Sequence, residues 1–245
     1  MVKLIPWEKG FAVEPGEDAS NRMYFWFYEW NCFEAVHPGE HTGGRSDFTW
    51  ETSDSHAEME ARGFRVEASA KEDGAELELT IANQSTHEWP APAAIIPCFA
   101  PGFDGMPGQN TRFLDKGHER TYFAGAEQLE LLHAREIHFN DQLRSQVDAR
   151  TETGEFVWQE KWPTSPRNAA AGVLIRESDD GEWVAGIGWQ DFLSAQGHNP
   201  WNCMHVSICV GPLSPGETKT VRGRIYMFQG DRNECLDRYR RDMIE

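Results

Sequence analysis

The stretch from Gly186 to Gly211 holds the densest set of side chains in this chain that could carry acid–base or hydrogen-bonding chemistry. It combines two histidines, two tryptophans, one aspartate and four side-chain amides. The pattern predicts a strand that ends at Trp189, a loop over residues 190–202, and a second strand that begins near Cys203. Because side chains alternate along a strand, His205 lies on a small polar face of this second strand, opposite an apolar one.

His205 is the first candidate for proton transfer, because an imidazole gains and loses a proton near neutral pH. His138 is the second candidate. Asp191 and Glu136 are the carboxylates that would orient such a histidine, or would form the acid–base pair if the reaction were glycoside hydrolysis. The alternative is structural, since a buried strand histidine is commonly satisfied by a hydrogen bond to the backbone.

Aromatic rings and amides near these groups indicate a ligand with sugar-like chemistry, because rings stack on sugars and amides bind hydroxyl groups. The candidate ligand-binding residues of this stretch are Trp189, Gln190, His198, Asn199, Trp201 and Asn202. Arg120 and Tyr122 join them if the protein is a lyase for a polyuronic acid, although the acidic chain would repel a long polyanion. In the structural alternative, Trp201 belongs to the core and the neighbouring polar residues cap a turn.

The sequence contains no strong cofactor or metal motif. It has no Cys-x-x-Cys or His-Glu-x-x-His pair, no phosphate-binding loop and no dinucleotide fingerprint. We therefore expect no cofactor. Glu136 and His138 are two residues apart and would share a strand face, which makes them a weak candidate for a divalent metal site. A hydrogen-bonded His138 without metal is the competing interpretation.

Two hairpins and a terminal helix are the clearest elements. Residues 64–81 alternate apolar and charged side chains around a turn at 72–74, and residues 172–189 do so around a turn at 178–181. Asp231 is suited to cap a helix over residues 231–245. Many strands and one late helix predict an all-β fold, a large antiparallel β-sandwich of the supersandwich kind, with residues 1–245 in a single domain.

Other segments are less regular. Residues 1–21 and 140–170 are expected to be irregular, whereas residues 127–139 predict one strand, with a helix as the alternative. The aromatic run over residues 23–33 has two interpretations. It is a sugar-stacking platform or, in the favoured interpretation, a central strand buried on both faces.

The run Gly74–Asn83, the apolar segment Ala93–Phe99 and the turn 213–218 resemble parts of the galactose-mutarotase-like superfamily, the aldose-1-epimerase supersandwich. The resemblance covers about a third of the chain. It implies a supersandwich fold and a carbohydrate ligand. The histidine that the family carries in its middle element is missing from residues 96–99, so the resemblance does not supply the catalytic residues.

Composition narrows the partners. The formal net charge is −17, and no block of Lys or Arg offers the basic face that a nucleic acid or an anionic membrane requires. Five irregularly spaced cysteines argue against a disulfide framework, and no signal peptide or membrane span is apparent. We expect a cytoplasmic protein that binds a small molecule or an oligosaccharide. A homo-oligomer through the aromatic run is a further option.

These features together predict a carbohydrate-active protein. Its chemistry would be acid–base chemistry on a sugar or sugar derivative, in an epimerase, lyase or glycoside hydrolase. The alternative is a non-catalytic carbohydrate-binding module or a subunit of a larger complex.

Overall fold

A computed structural model describes residues 1–16, 21–32, 48–61, 63–133, 135–154, 163–198 and 202–245, without the side chains of residues 28–32 and 198. Two antiparallel sheets face each other, which confirms the predicted β-sandwich. Neither of the two helices among these residues is long and apolar enough to cross a membrane.

The first sheet has seven strands in the order β1-β2-β3-β8-β15-β14-β11. Their bounds are β1 Lys3–Trp7, β2 Gly10–Glu14, β3 Met23–Cys32, β8 Ala94–Ala100, β11 Ile137–Phe139, β14 Phe192–His198 and β15 Cys203–Cys209.

The second sheet has nine strands in the order β10-β9-β12-β13-β16-β7-β6-β5-β4. Their bounds are β4 Glu51–Thr52, β5 His56–Ala61, β6 Phe64–Lys71, β7 Gly74–Ala82, β9 Thr121–Ala124, β10 Leu129–Leu131, β12 Ala171–Glu177, β13 Trp183–Trp189 and β16 Thr218–Gln229. The helices are α1 Arg144–Glu152 and α2 Arg232–Met243.

The main core lies between the two sheets. Strand alternation directs Met204 and Val206 of β15 into this core, where they join Leu174 and Ile187 of the second sheet. The opposite face of β12 is also apolar. The helix α2 covers this face, and its Tyr239 packs against it. Both faces of the central strands are therefore dry, which explains their nearly continuous apolar sequences.

A third apolar cluster covers the outer face of the first sheet. Tyr24 and Trp26 lie there beside Cys98, while Phe25 and Phe27, the alternate residues of β3, point into the main core. Over residues 24–27 the aromatic run is thus a strand buried on both faces, as favoured from the sequence. Side chains in the rest of the run lie outside the described part.

Both predicted hairpins are present. β6 pairs with β7 from Phe64↔Ile81 to Lys71↔Gly74, and β12 pairs with β13 from Val173↔Gly188 to Glu177↔Val184. Gly74 has a φ of +149° and a Cβ on it would lie 1.8 Å from the Ile225 carbonyl oxygen, so the turn requires glycine.

Four sequence expectations about elements are wrong. Residues 3–7 and 10–14 form the hairpin β1–β2 instead of an irregular segment, and residues 144–152 form α1. The expected strand over 127–139 is divided into β10 and β11, which belong to different sheets. The expected loop over 190–202 is largely the strand β14, which pairs with β15 from Phe192↔Ile208 to His198↔Cys203.

The predicted helix cap is confirmed. The Asp231 carboxylate accepts the backbone N–H groups of Asn233 at 2.8 Å and Glu234 at 3.0 Å. Replacing Asp231 by alanine is expected to lower the free energy of unfolding by about 1 kcal/mol, because two N-terminal donors of α2 lose their acceptor. Urea unfolding measures this loss. The matched control is Asp237→Ala on the exposed side of the same helix, and equal stability of the two variants would contradict the prediction.

Candidate functional site

The polar face of β15 is buried. Gln196 of β14 pairs directly with His205, and because Met204 pairs with Phe99, His205 lies opposite Cys98 on β8. The ligand atoms of Cys98, Cys203 and His205 all lie within 4.8 Å of one another, and we call these residues the Cys–His cluster. His205 is only 1% exposed. A sugar in bulk solvent therefore does not reach this histidine directly.

His138 lies on the other face of the same sheet. It pairs with Ala195, and its ring stacks on Phe123 of the second sheet with 3.9 Å between ring centroids. Its Nδ1 lies 3.0 Å from the backbone oxygen of Arg167. Burial lowers the pKa of His138 to about 4, so the ring is neutral at physiological pH. The structure does not bring His138 and His205 together.

Glu136 lies just before β11 rather than within a strand. Its Oε2 accepts the Ser165 hydroxyl at 2.7 Å. Among the described residues, the three-ligand groups with metal-binding spacing do not include Glu136 or His138. Glu136 is bonded to the Ser165 hydroxyl and His138 Nδ1 to the Arg167 backbone oxygen, so the two side chains do not form a pair.

Asp191 lines a cavity of about 320 Å³. This cavity lies near Cys209, at the end of β15 opposite to His205. Asp191 Oδ2 lies 3.0 Å from the Lys219 ammonium group, which also donates to the Cys209 backbone oxygen at 3.2 Å. Cys209 comes four residues after His205 along β15, which corresponds to about 13 Å along a strand. We call this cavity the Asp191 pocket. Its lining residues are Asn140, Gln142, Leu143, Ala170, Ala171, Gln190, Asp191, Phe192, Cys209, Gly211, Lys219, Tyr239 and Ile244.

Fixed hydrogen bonds shape the wall of the Asp191 pocket. The Tyr239 hydroxyl donates to the Trp189 backbone oxygen at 3.1 Å and accepts the Gly172 N–H at 3.1 Å. Burial raises the pKa of Tyr239 to about 12, so this hydroxyl keeps its proton. The Gln190 amide oxygen accepts the Arg222 guanidinium at 3.2 Å. These contacts hold the backbone around Trp189 and Gly172 and the Gln190 side chain at the wall of the pocket.

The remaining predicted ligand-binding residues occupy structural positions. Trp189 is fully buried, and its ring covers Gly223, where a Cβ would come within 2.4 Å. Arg120 donates to the Leu114 carbonyl at 2.6 Å, and the Tyr122 hydroxyl accepts from Arg232 at 2.8 Å. The side chain of His198 and residues Asn199 and Trp201 lie outside the described residues.

Asn202 has a structural role in the turn before β15. It adopts a φ of +61°, a left-handed conformation that asparagine tolerates better than most residues. Its side-chain oxygen accepts the Asp115 N–H at 2.8 Å. Its own backbone oxygen accepts the Arg176 guanidinium at 2.7 Å.

Arg176 anchors a buried polar network between the sheets that sequence analysis did not find. The fully buried guanidinium donates to the Thr121 hydroxyl at 2.7 Å, and that hydroxyl donates to the Asp115 carboxylate at 2.7 Å. Arg176 also lies 3.1 Å from His118 Nδ1. Burial opposes ionisation of Asp115, but the Arg176 charge and the hydrogen bonds it accepts hold its pKa below the usual value.

Lys219 was not predicted as a residue of the candidate site. It follows a Pro/Gly turn and carries no local signal of a site, because only the long-range arrangement of β16 beside β13 brings it to Asp191. Tyr239 was placed correctly on the apolar stripe of α2, but its hydroxyl contact could not be read from the stripe. For Arg176 the sequence signal was a charge at the end of an apolar strand.

Solved structures that are similar to this chain include proteins described as galactose mutarotase-like. A galactose mutarotase-like protein from Lactobacillus casei is similar at 11% identity and a TM-score of 0.43, covering 93% of this chain and 100% of that one. A galactose mutarotase related enzyme from Lactobacillus acidophilus is similar at 11% identity and 0.41, covering 95% and 99%. A protein from Synechocystis sp. PCC 6803 is similar at 9% and 0.46, covering 94% and 92%. No family model matches the sequence, and neither does any curated protein sequence.

Proposed function

We propose that this protein binds a sugar or sugar derivative in the Asp191 pocket and performs acid–base chemistry on it. The observation that carries the proposal is the Asp191–Lys219 pair at 3.0 Å in a cavity of about 320 Å³. This volume is at the lower end of the range for small-molecule sites, and it suits one sugar ring better than a polymer.

The lining offers what a sugar requires. The amides of Gln142 and Gln190 can exchange hydrogen bonds with hydroxyl groups, and Phe192, which is 6% exposed, adds a small apolar surface. The Asn140 amide already donates to the Phe192 backbone oxygen at 2.9 Å and accepts the Gln142 N–H at 3.0 Å. The net charge of −17 disfavours polyanions, so a neutral sugar is the better fit than a polyuronic acid.

The chemistry follows from the paired charges. The Asp191 carboxylate can accept a proton from a hydroxyl group or a carbon acid of the substrate, while the Lys219 ammonium group stabilises the negative charge that develops on a neighbouring oxygen. Such a pair suits epimerisation or elimination. His205, His138 and Glu136 are absent from the described lining, so we assign proton transfer to Asp191.

Binding without chemistry is the second candidate function. It is favoured by the placement of both predicted catalytic histidines away from the pocket, His205 in the buried Cys–His cluster and His138 in the main core. The same amides and ring would bind the sugar in either case.

Asp191→Asn separates these two functions. In an enzyme, we expect this change to lower kcat by roughly 10²- to 10⁴-fold with little change in sugar affinity, because the amide keeps the shape but cannot accept a proton. A thermal-shift panel of neutral monosaccharides first identifies the ligand. Proton NMR of that sugar then follows its conversion.

Asp237→Asn, on the exposed face of α2, is the matched control and should behave as wild type. Wild-type protein that binds a sugar but converts none would establish the binding function instead. A panel without any stabilising sugar, together with no conversion of any panel sugar, would contradict both.

A further inference from the structure

The Cys–His cluster has the composition of a transition-metal site. Cys98 lies on β8, and Cys203 and His205 lie two residues apart on β15, so all three share the outer face of the first sheet. Neither cysteine forms a disulfide. Two thiolates and one imidazole are the ligands that zinc and other thiophilic metals prefer over oxygen donors.

The spacing is close to what a metal needs. Zinc bonds of 2.0–2.3 Å in a tetrahedral site place ligand atoms roughly 3.3–3.8 Å apart. The three ligand atoms already lie within 4.8 Å of one another. Rotamer adjustment of about 1 Å therefore closes the site, and the strands that carry the ligands need not move.

A second, independent observation comes from Gln196. It pairs directly with His205, so the two side chains point to the same face of adjacent strands. Gln196 is 2% exposed, and its Oε1 has no hydrogen-bond partner among the described residues. Leaving a buried amide oxygen unsatisfied is costly. A histidine that binds a metal through one ring nitrogen carries an N–H on the other nitrogen. A neighbouring amide oxygen, such as that of Gln196, can accept a hydrogen bond from this N–H.

Charge balance favours a divalent ion over a monovalent one. The side chains of Tyr24, Trp26 and Ala100 pack beside Cys98 and Cys203, and the buried Arg176 donates to the backbone oxygen of Asn202, next to Cys203. A divalent ion with two thiolates and a neutral imidazole has no net charge, whereas a monovalent ion would leave one negative charge in this buried site. We propose that Cys98, Cys203 and His205 bind one Zn²⁺ ion, with Gln196 as the acceptor that orients His205.

Each thiol loses its proton as its sulfur–zinc bond forms, so binding releases two protons per ion, and no oxidant is required. Three protein ligands leave one tetrahedral position for water. The ion would join β8 to β15 on the face of the sheet opposite the main core. This site is at the other end of β15 from the Asp191 pocket, so it is independent of the proposed sugar chemistry.

The test uses the full chain, freed of metal by a chelator under reducing conditions, and titrated with Co²⁺ as a spectroscopic probe and then with Zn²⁺. We expect a thiolate-to-cobalt charge-transfer absorption that saturates at one equivalent and is abolished by Zn²⁺. Zn²⁺ is also expected to raise the melting temperature. A folded wild-type chain that gives no such absorption overturns the proposal, and so does a Cys98–Cys203 disulfide that persists in reductant.

Variants locate the ion. Cys98→Ser, Cys203→Ser and His205→Gln should each lose tight zinc binding, and Gln196→Ala should weaken it by roughly 10-fold. Cys235→Ala is the matched control, since this buried cysteine belongs to α2 and lies outside the cluster. Circular dichroism identifies the folded variants. Folded cluster variants that bind zinc as tightly as Cys235→Ala would place the metal elsewhere, for example on the surface group His56, Glu58 and Glu67, and would overturn the assignment.

Discussion

Replacing Arg176 by methionine is expected to lower the free energy of unfolding by about 3–5 kcal/mol. Methionine fills a similar volume but donates no hydrogen bonds. The change leaves the buried Asp115 carboxylate without its cation, and the Asn202 and Phe113 carbonyl oxygens lose their donors. The loss is large because each of these groups was desolvated when the sandwich formed.

Urea unfolding measures the Arg176 effect. Arg222→Met is the control, because Arg222 is exposed and donates to Gln190 at the surface, and its loss should change stability by less than about 0.5 kcal/mol. The double variant Arg176→Met with Asp115→Asn should recover part of the loss, because it removes the unpaired charge. An Arg176→Met protein within about 1 kcal/mol of wild type would show that the network is not a main source of stability.

The second large effect is a loss of stability in acid that depends on His138. Its pKa is about 4 in the fold and about 6.5 in the unfolded chain, so the unfolded chain binds the proton first as the pH falls. The stabilisation is complete above about pH 6.5 and is lost progressively down to pH 4. Its total is about 3 kcal/mol, since one pKa unit corresponds to 1.36 kcal/mol.

His138→Asn isolates this contribution. Asparagine offers an amide N–H for the Arg167 carbonyl oxygen but does not titrate, so the variant should lose less stability than wild type between pH 6.5 and pH 4. Urea unfolding at a series of pH values measures the difference. Parallel pH profiles for wild type and His138→Asn would be inconsistent with a neutral, buried His138.

Local patterns predicted the elements that depend on local contacts. The hairpins β6–β7 and β12–β13 have turn residues and alternation within one short segment, and Asp231 caps a helix with donors two and three residues away. The strand β14 was missed because it is polar for a central strand. Its Ser194 is buried only because the Ser207 hydroxyl on β15 lies 2.7 Å away, which no local pattern reveals.

The candidate site was harder to predict than the fold, because face and register decide which side chains meet. The alternation of side chains along β15 can be read from a single sequence. It correctly predicted that Cys203 and His205 lie on one face. It does not reveal that β8 pairs with β15 and brings Cys98 beside them. It also cannot reveal that His138 pairs with Ala195, one register step away from the residue that faces His205.

The outermost strands of both sheets have a consequence for how copies of this chain meet. β4 has two residues, β10 and β11 have three each, and β1 carries Pro6, which has no N–H to donate. A sheet edge recruits a strand from another molecule when it exposes a long row of unpaired N–H and C=O groups. These four edges expose few, and a net charge of −17 adds mutual repulsion. Growth into continuous intermolecular sheets through the edges that the described residues form is thereby disfavoured.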